Sequence, residues 1–382
     1  MRPWPIRARQ KITSLKNITF AEKKRMPPMT VQDGTDHETV ITTKDADSGL
    51  TAIIAIHNTQ LGPAVGGCRM FPYVQEAHAL RDALRLSQGM TYKSALAGLP
   101  FGGGKSVILG DPRREKTPAL LRAMGAFVDM LAGRYIIAED SGTSPDDMQV
   151  IAEATRHVTG SNALRREDPS PATARGVFMG IRAGISQVFG TECLVGRSVA
   201  IQGLGHVGYH LAKYLTNAGA QVYGSDINVE NLARAVNEVG ITAVSPQEIL
   251  FQPCDVLAPC AMGAVLNESN IAKLQTQVIA GAANNQLATD EDDARLRARN
   301  IVYCPDFAIN AGGIVDIHHQ NNNSCSDTRA AAIEQIGHSV ASILERAQSQ
   351  AVGTQQIAVA MAEEQLNACS QNAKSLQRAA FA

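Results

Sequence analysis

The stretch SVAIQGLGHVG, residues 198–208, leaves this chain few folds to choose from. A short apolar run of buried-strand type passes at Gly203 into GLGHVG, and an amphipathic helical pattern begins directly after Gly208. GxGxxG by itself is weak evidence, because glycine is common. Its context strengthens it: a second strand pattern begins at Gln221 and leads to Asp226, close to the ~20-residue offset of a ribose-binding acid. In such a unit Gly203 permits the tight turn, Gly205 lets a pyrophosphate approach the backbone, and Gly208 allows helix and strand to pack closely. The helix N-terminus adds partial positive charge. Leu204, His206 and Val207 complete the candidate dinucleotide loop. Asp226 would accept hydrogen bonds from the adenosine ribose and repel a 2′-phosphate, so NAD is expected in preference to NADP. The competing reading is a structural glycine-rich turn.

Strand patterns recur at 255–258, 278–282 and 301–303, as a doubly wound parallel sheet requires. A helix at 174–189 follows the Pro-rich break DPSPAT, and helical stretches at 326–351 and 354–370 close the chain. At 382 residues the chain is too long for one comfortable core. The first half reads as a second α/β domain: a strand at 52–56, a Gly/Pro-rich turn LGPAVGG ending at Gly67, and a helix at 75–90. Three glycines then lead through Lys105 into a short apolar strand; a helix at 118–132 and a strand at 135–138 follow. The expected division is a substrate domain over 29–160, a Rossmann-type NAD domain over 161–352 and a helix at 353–382 returning to the first domain, with a cleft between the two.

Residues 1–28 carry eight lysines and arginines against the single acid Glu22, with no evident period. They read as a disordered extension; an organelle transit peptide or a start assigned upstream of Met29 fits equally. A net charge of -1 gives no reason to expect nucleic acid or an anionic membrane as partner. Seven cysteines without a CxxC pair suit reduced thiols in a cytoplasmic protein better than disulfides or zinc. No apolar run approaches the ~18 residues that span a bilayer. His206 and His210 stand one helical turn apart, but with no acid or thiol at ligand spacing they read as surface histidines, and no metal is expected.

A nucleotide domain does not specify a reaction. The unusual residues of the first half are Lys93 in GMTYKSA and Lys105 in GGGKS, both in apolar, glycine-bearing surroundings. A lysine desolvated near a second cation gives up its proton more readily, so one can hold an anionic substrate while the other moves protons. Asp140, at the end of a strand in AED, could supply the paired carboxylate. The plainer reading makes both lysines ordinary surface residues.

The segments LGPAVGGCRM, GMTYKSALAGL, FGGGKSVILGDPR, GRYIIAEDSGT, GLGHVG, GAANNQL and PDFAINAGGI occur in order over residues 48–370. Together they resemble the successive signatures of the glutamate, leucine, phenylalanine and valine dehydrogenase family, and most closely its leucine branch. The resemblance implies that Lys105 is the catalytic lysine, Lys93 the lysine binding the substrate α-carboxylate, and Asp140 the acid that shuttles protons. Gly66, Gly67 and Met90 fall in its substrate-side motifs. Thr173 and Asn284 match positions at the nicotinamide end, and Asn285 and Asn310 line the same cleft. The implied chemistry is hydride transfer from an amino-acid Cα to NAD, addition of water activated by Lys105 to the imine, and release of a 2-oxo acid and ammonium. A homo-oligomer is implied too.

Where the glutamate branch places a lysine and a serine on the side-chain carboxylate, this chain has Val65 and Ile317. Burying a carboxylate there without a counter-charge would be prohibitive. With Ile314 and Ala138 the pocket reads as aliphatic, and leucine, isoleucine and valine are the expected substrates. GGC in GGCRM also occurs in phenylalanine-type sequences and keeps phenylalanine as the alternative. A catalytically silent NAD-binding protein would need neither lysine; a 2-hydroxy acid dehydrogenase would rely on a His/acid pair and an arginine.

Overall fold

A computed structural model of the chain describes residues 29–31, 36–160, 168–261 and 263–380. The extension over 1–28 lies outside them. Two six-stranded sheets divide the molecule.

The first sheet contains β1 (Met29–Val31), β2 (Thr39–Asp45), β3 (Leu50–Asn58), β4 (Ala64–Phe71), β5 (Gly102–Leu109) and β6 (Tyr135–Glu139), in the order β1-β2-β3-β5-β4-β6. It is mixed: β1, β2, β3 and β5 run antiparallel in succession, and β5, β4 and β6 are parallel. Its helices are α1 (Glu76–Leu96), α2 (Pro118–Asp129) and α3 (Pro145–Ala152). Ala64, Cys68 and Met70 of β4 join Tyr135 and Ile137 of β6 in a core closed by Leu120, Met124 and Phe127 of α2 and Met148 and Ile151 of α3. Because strand side chains alternate, the intervening residues face the other way, where Val107 packs on Ala79 and Ala83 of α1.

The second sheet is wholly parallel, with β7 (Ser198–Gln202), β8 (Gln221–Ser225), β9 (Thr242–Ala243), β10 (Val256–Pro259), β11 (Val278–Ile279) and β12 (Val302–Tyr303) ordered β12-β11-β10-β7-β8-β9. The order reverses direction between β7 and β10, and ligands bind doubly wound sheets at such a switch point. Around it lie α4 (Ser170–Phe189), α5 (His206–Asn217), α6 (Val229–Val239), α7 (Glu268–Ile271), α8 (Glu291–Ala298), α9 (Asp306–Ile309), α10 (Gly312–Asn321) and α11 (Ser326–Gln350). A last helix, α12 (Thr354–Ala380), packs on α1 of the first half, where Glu363 accepts a hydrogen bond from Tyr92 Oη at 3.4 Å. The fold is therefore α/β, with a Rossmann-type parallel sheet and a second α/β half. Among the described residues no helix is long and apolar enough to cross a membrane.

Three local expectations are corrected. LGPAVGG does not end as a turn, because Ala64–Phe71 is a strand paired on both edges. The glycines of FGGGKS do not precede a strand; they lie within β5, which puts Lys105 at its middle. In both strands glycine serves close packing. A Cβ on Gly66 would meet the Gly104 carbonyl oxygen at 1.7 Å, and one on Gly103 would meet Thr91 N of α1 at 2.2 Å. The helix expected at 75–90 runs on to Leu96, because its last turns pack against β5.

Candidate active site

The register of β4, β5 and β6 sets the chemical centre. Val65 lies opposite Gly103 and Ile136, and Gly67 lies opposite Ala138. By alternation Val65, Gly67 and Arg69 share one face with Lys105, Ala138 and Asp140. Gly66 lies on the opposite face, where its carbonyl accepts a hydrogen bond from Tyr135 Oη at 2.8 Å. At Gly67 the missing side chain is occupied by a neighbour: a Cβ there would come within 2.7 Å of Asp140 Cβ. Glycine thus seats the carboxylate beside Lys105.

Lys105 is 5% exposed, and its Nζ donates to Asp140 Oδ2. The other oxygen, Oδ1, accepts from the Ser141 N–H at 2.6 Å and faces Arg69 Nη2 at 3.8 Å. Arg69 is itself held by Asp82 of α1 at 2.7 Å, and Tyr73 Oη donates to the same Asp82 oxygen at 2.5 Å. Thr143 closes the turn, accepting from the Asp140 N–H and donating to the Cys68 carbonyl. Burial alone would raise the Asp140 carboxyl, but Lys105, Arg69 and the Ser141 N–H outweigh it and hold it at about 2. The carboxylate is ionised and accepts a hydrogen bond from the Lys105 side chain, which places the two groups within reach of direct proton transfer.

Lys93, near the C-terminus of α1, borders the same cleft with Met90, Lys105, Asn284 and Asn285. Burial pushes its ammonium down to about 8, with Asp306 opposing and Lys105 reinforcing the shift. It donates to Asn284 Oδ1 at 3.5 Å, and Asn310 Nδ2 donates to the same oxygen at 2.7 Å. Asn284 and Asn285 stand on the turn after β11, where Asn285 adopts a φ of 52°. Thr173, in the first turn of α4, meets the start of α10: a Cβ on Gly313 would lie 2.6 Å from Thr173 Oγ1. Ile314 and Ile317 are half-buried on α10, which reaches the first sheet where His318 packs edge-on against Phe101 at 5.2 Å. They do not line the cleft segment at Lys93 and Lys105.

The dinucleotide loop has the shape that such a ligand needs. Gly203 adopts a φ of +95°, and a Cβ there would clash with Ala261 at 2.7 Å. On Gly208 a Cβ would strike the Gly203 carbonyl oxygen at 2.0 Å. Gly205, at the N-cap of α5, is the opposite case: nothing lies within 4 Å of its missing Cβ. That open side at a helix N-terminus fits a pyrophosphate. Leu204 is fully buried, Val207 half-buried and His206 exposed, 3.9 Å from Asp168. Asp226 follows β8 and is aimed by the N–H groups of Leu204 and Asn228, each 2.7 Å from one of its oxygens. Among the described residues no cluster of His, Cys, Asp and Glu could hold a metal ion.

Residue-by-residue reading missed three groups. Arg69 sits inside GGCRM, but only the strand register shows that it shares a face with Lys105. Asp306 stands in PDFAINAGG, where an acid after proline reads as an ordinary helix start; the structure buries it in the cleft wall. Gln286 is fully buried and ties the Asn284–Asn285 turn through bonds to the Gly281 and Ala283 carbonyls.

The sequence matches two family models. Residues 37–157 match the Glu/Leu/Phe/Val dehydrogenase dimerisation domain, and residues 165–372 match the Glutamate/Leucine/Phenylalanine/Valine dehydrogenase model. Leucine dehydrogenase of Thermoactinomyces intermedius is 45% identical over 333 residues, covering 87% of this chain and 91% of that protein. Phenylalanine dehydrogenase of Caldalkalibacillus thermarum is 40% identical over 351 residues, covering 89% and 94%. The crystal structure of L-tryptophan dehydrogenase from Nostoc punctiforme superposes with a TM-score of 0.73 at 40% identity, covering 87% of this chain and 97% of that one. The chain therefore belongs to the glutamate/leucine/phenylalanine/valine dehydrogenase family and is an amino-acid dehydrogenase of the NAD(P)-dependent type.

Proposed function

We propose that this enzyme oxidatively and reversibly deaminates branched-chain L-amino acids, leucine with valine and isoleucine, using NAD. The observation that carries this reading is the face of β4–β6 on which Lys105 and Asp140 meet. Beside that pair the face offers the apolar side chains of Val65 and Ala138, so a substrate side-chain carboxylate would meet no counter-charge there. An apolar side chain loses nothing in that setting. The relatives named for leucine, phenylalanine and tryptophan share this apolar preference and differ in size. Ile314 and Ile317 on α10 are assigned to the far wall of the pocket.

Lys93 binds the substrate α-carboxylate. Lys105, having passed a proton to Asp140 through their hydrogen bond, takes a proton from the attacking water; Asp140 carries the displaced proton away, and Arg69 favours its return to the carboxylate form between transfers. The Gly203–Gly208 loop and Asp226 would hold a nicotinamide dinucleotide, which would supply the acceptor for the hydride that leaves the substrate Cα. Thr173, Asn284 and Asn310 orient its nicotinamide end, and Asn285 borders the substrate. The Asp226 side chain would lie against the 2′-phosphate of NADP and accept hydrogen bonds from the free ribose of NAD, which favours NAD. Gly66 and Gly67 supply backbone beneath the substrate, and Met90 borders it from α1. We assign residues 29–160 to the amino-acid half, 161–352 to the nucleotide half, and 353–382 to the segment whose helix α12 returns to the first half. The match to a dimerisation domain supports a homo-oligomer.

The test is a panel of amino acids assayed with NAD and NADP by NADH or NADPH absorbance. The branched aliphatic substrates with NAD are expected to give the highest kcat/KM. Preference for phenylalanine or tryptophan by more than about tenfold, roughly the worth of a methylene or two in an apolar pocket, would reverse the substrate assignment.

A further inference from the structure

Among the described residues, no carboxylate lies within 4.0 Å of Lys93 Nζ, although Lys93 stands deep enough in the cleft to lose much of its hydration. Lys105, the cation that repels Lys93 in this cleft, has its partner in Asp140. The negative charge that answers Lys93 comes from Asp306, the first residue of α9, which is 6% exposed and lines the same cleft.

Asp306 keeps its oxygens engaged elsewhere. Oδ2 accepts the Gln286 N–H at 2.9 Å and Oδ1 accepts the Phe307 N–H at 2.6 Å. The first of these bonds fixes the turn that carries Asn284 and Asn285, which the Gln286 side chain staples from within. Asn284 then reaches both Lys93 and Asn310. A single buried carboxylate therefore holds the cofactor-facing turn by hydrogen bonds and acts on the substrate-side ammonium by charge alone.

We propose that Asp306 is a positioning residue that keeps Lys93 both charged and unpaired, so that its ammonium is available to the carboxylate of the incoming substrate. A direct Lys93–Asp306 ion pair would compete with substrate. A charge at longer range, tied down by backbone N–H groups, favours the ammonium without blocking it. Burial raises the Asp306 carboxyl against those hydrogen bonds and the Lys93 charge, so the arrangement is weakest when Asp306 is neutral. The other charged groups that act on Lys93 are Lys105 on β5 and Asp140 after β6; Arg85 and Tyr92 on its own helix, Asp290 and Tyr303 line the same cleft.

The inference rests on Lys93 being the carboxylate-binding residue, and the experiment separates the two claims. Asp306→Asn and Asp306→Ser delete the charge while leaving an acceptor for the Phe307 N–H. Steady-state reductive amination is followed from pH 7 to 10 with the 2-oxo acid as the varied substrate, because its carboxylate does not titrate there. The ratio of variant to wild-type KM is expected to stay under about twofold at pH 7 and to rise to about tenfold by pH 9.5, as a pKa of Lys93 lowered by about one unit requires. Losing the Gln286 bond should also change kcat at saturation and the Kd for NADH, but by factors that do not vary with pH over this range. In a Lys93→Arg background the pH-dependent part is expected to vanish, because arginine stays charged throughout.

A KM ratio independent of pH would overturn the proposal, as would a loss confined to kcat. If neither Asp306 variant folds, the residue is structural and the proposal also fails. If Lys93→Ala leaves the KM for the 2-oxo acid unchanged, the assignment of Lys93 itself is wrong. If Lys93→Ala raises it and the Asp306 variants do not, only the role of Asp306 is lost.

Discussion

The sheet that carries Lys105 and the loop that opens the second half are both built on glycine, yet they use it in opposite ways. On β4 and β5 the space a Cβ would take is already filled: by Asp140 at Gly67, by Thr91 at Gly103 and by the Tyr135 ring at Gly104. In the loop, Gly203 and Gly208 are crowded in the same manner, but beside Gly205 the space is empty. A filled vacancy brings the protein's own groups into register, whereas an empty one is reserved for a visitor. The first half thus holds preassembled chemistry, and the second holds a berth.

This contrast has measurable consequences. The largest is expected for Lys105→Ala, which removes the proposed proton-handling group: kcat should fall by about 10³-fold or more, with the Kd for NADH within about twofold of wild type. Retention of more than a few per cent of wild-type kcat would break the division of labour. Gly67→Ala comes next. Its methyl group would collide with Asp140 and the Glu139 carbonyl, and displacing the carboxylate by about 1 Å should cost on the order of 10²-fold in kcat. Normal turnover in this variant would show that the seat is not needed.

Gly205→Ala should behave differently again. Its backbone φ of -62° suits any residue and its side chain meets no protein atom, so Tm should be unchanged. The KM for NAD should rise about tenfold, the equivalent of ~1.4 kcal/mol of lost approach. A lower Tm with intact NAD binding would invert the comparison.

The smallest effect concerns pH and stability. Asp140 is held at about 2, below the ordinary carboxylate value of 3.8, so its ion pairs stabilise the fold fully above about pH 4, and that contribution disappears as pH falls toward 2. Thermal denaturation of wild type and Asp140→Asn from pH 6 to 2 should therefore show a wild-type advantage that shrinks across this window. An advantage that is constant with pH would contradict the ionised pairing.

Much of the nucleotide half was legible because its signals are local. Strand, glycine turn, helix and strand-end acid follow one another within a few dozen residues, and β7 and β8 fall where the apolar pattern puts them. The chemical half was harder. The glycines of LGPAVGG read as a turn because the partner that makes Ala64–Phe71 a strand lies across the sheet at Gly102–Leu109, far away in sequence. The lysines announced themselves by their apolar setting, whereas Arg69 and Asp306 did not. One takes its meaning from strand register and the other from burial, and neither is written in neighbouring residues. β1 and β2 went unread as well, since their short segments become strands only when β3 supplies the ladder.

The returning helix α12 has a mechanical consequence. The polypeptide passes between the halves twice, once between α3 and α4 and again through α12, whose flank rests on the helix that carries Lys93. Two tethers permit rocking about a line joining them and resist free swivelling, so opening should follow one reproducible arc. A chain cut short after Val352 would keep the whole nucleotide sheet yet leave α1 without its outer support, uncoupling capture of dinucleotide from capture of the second reactant.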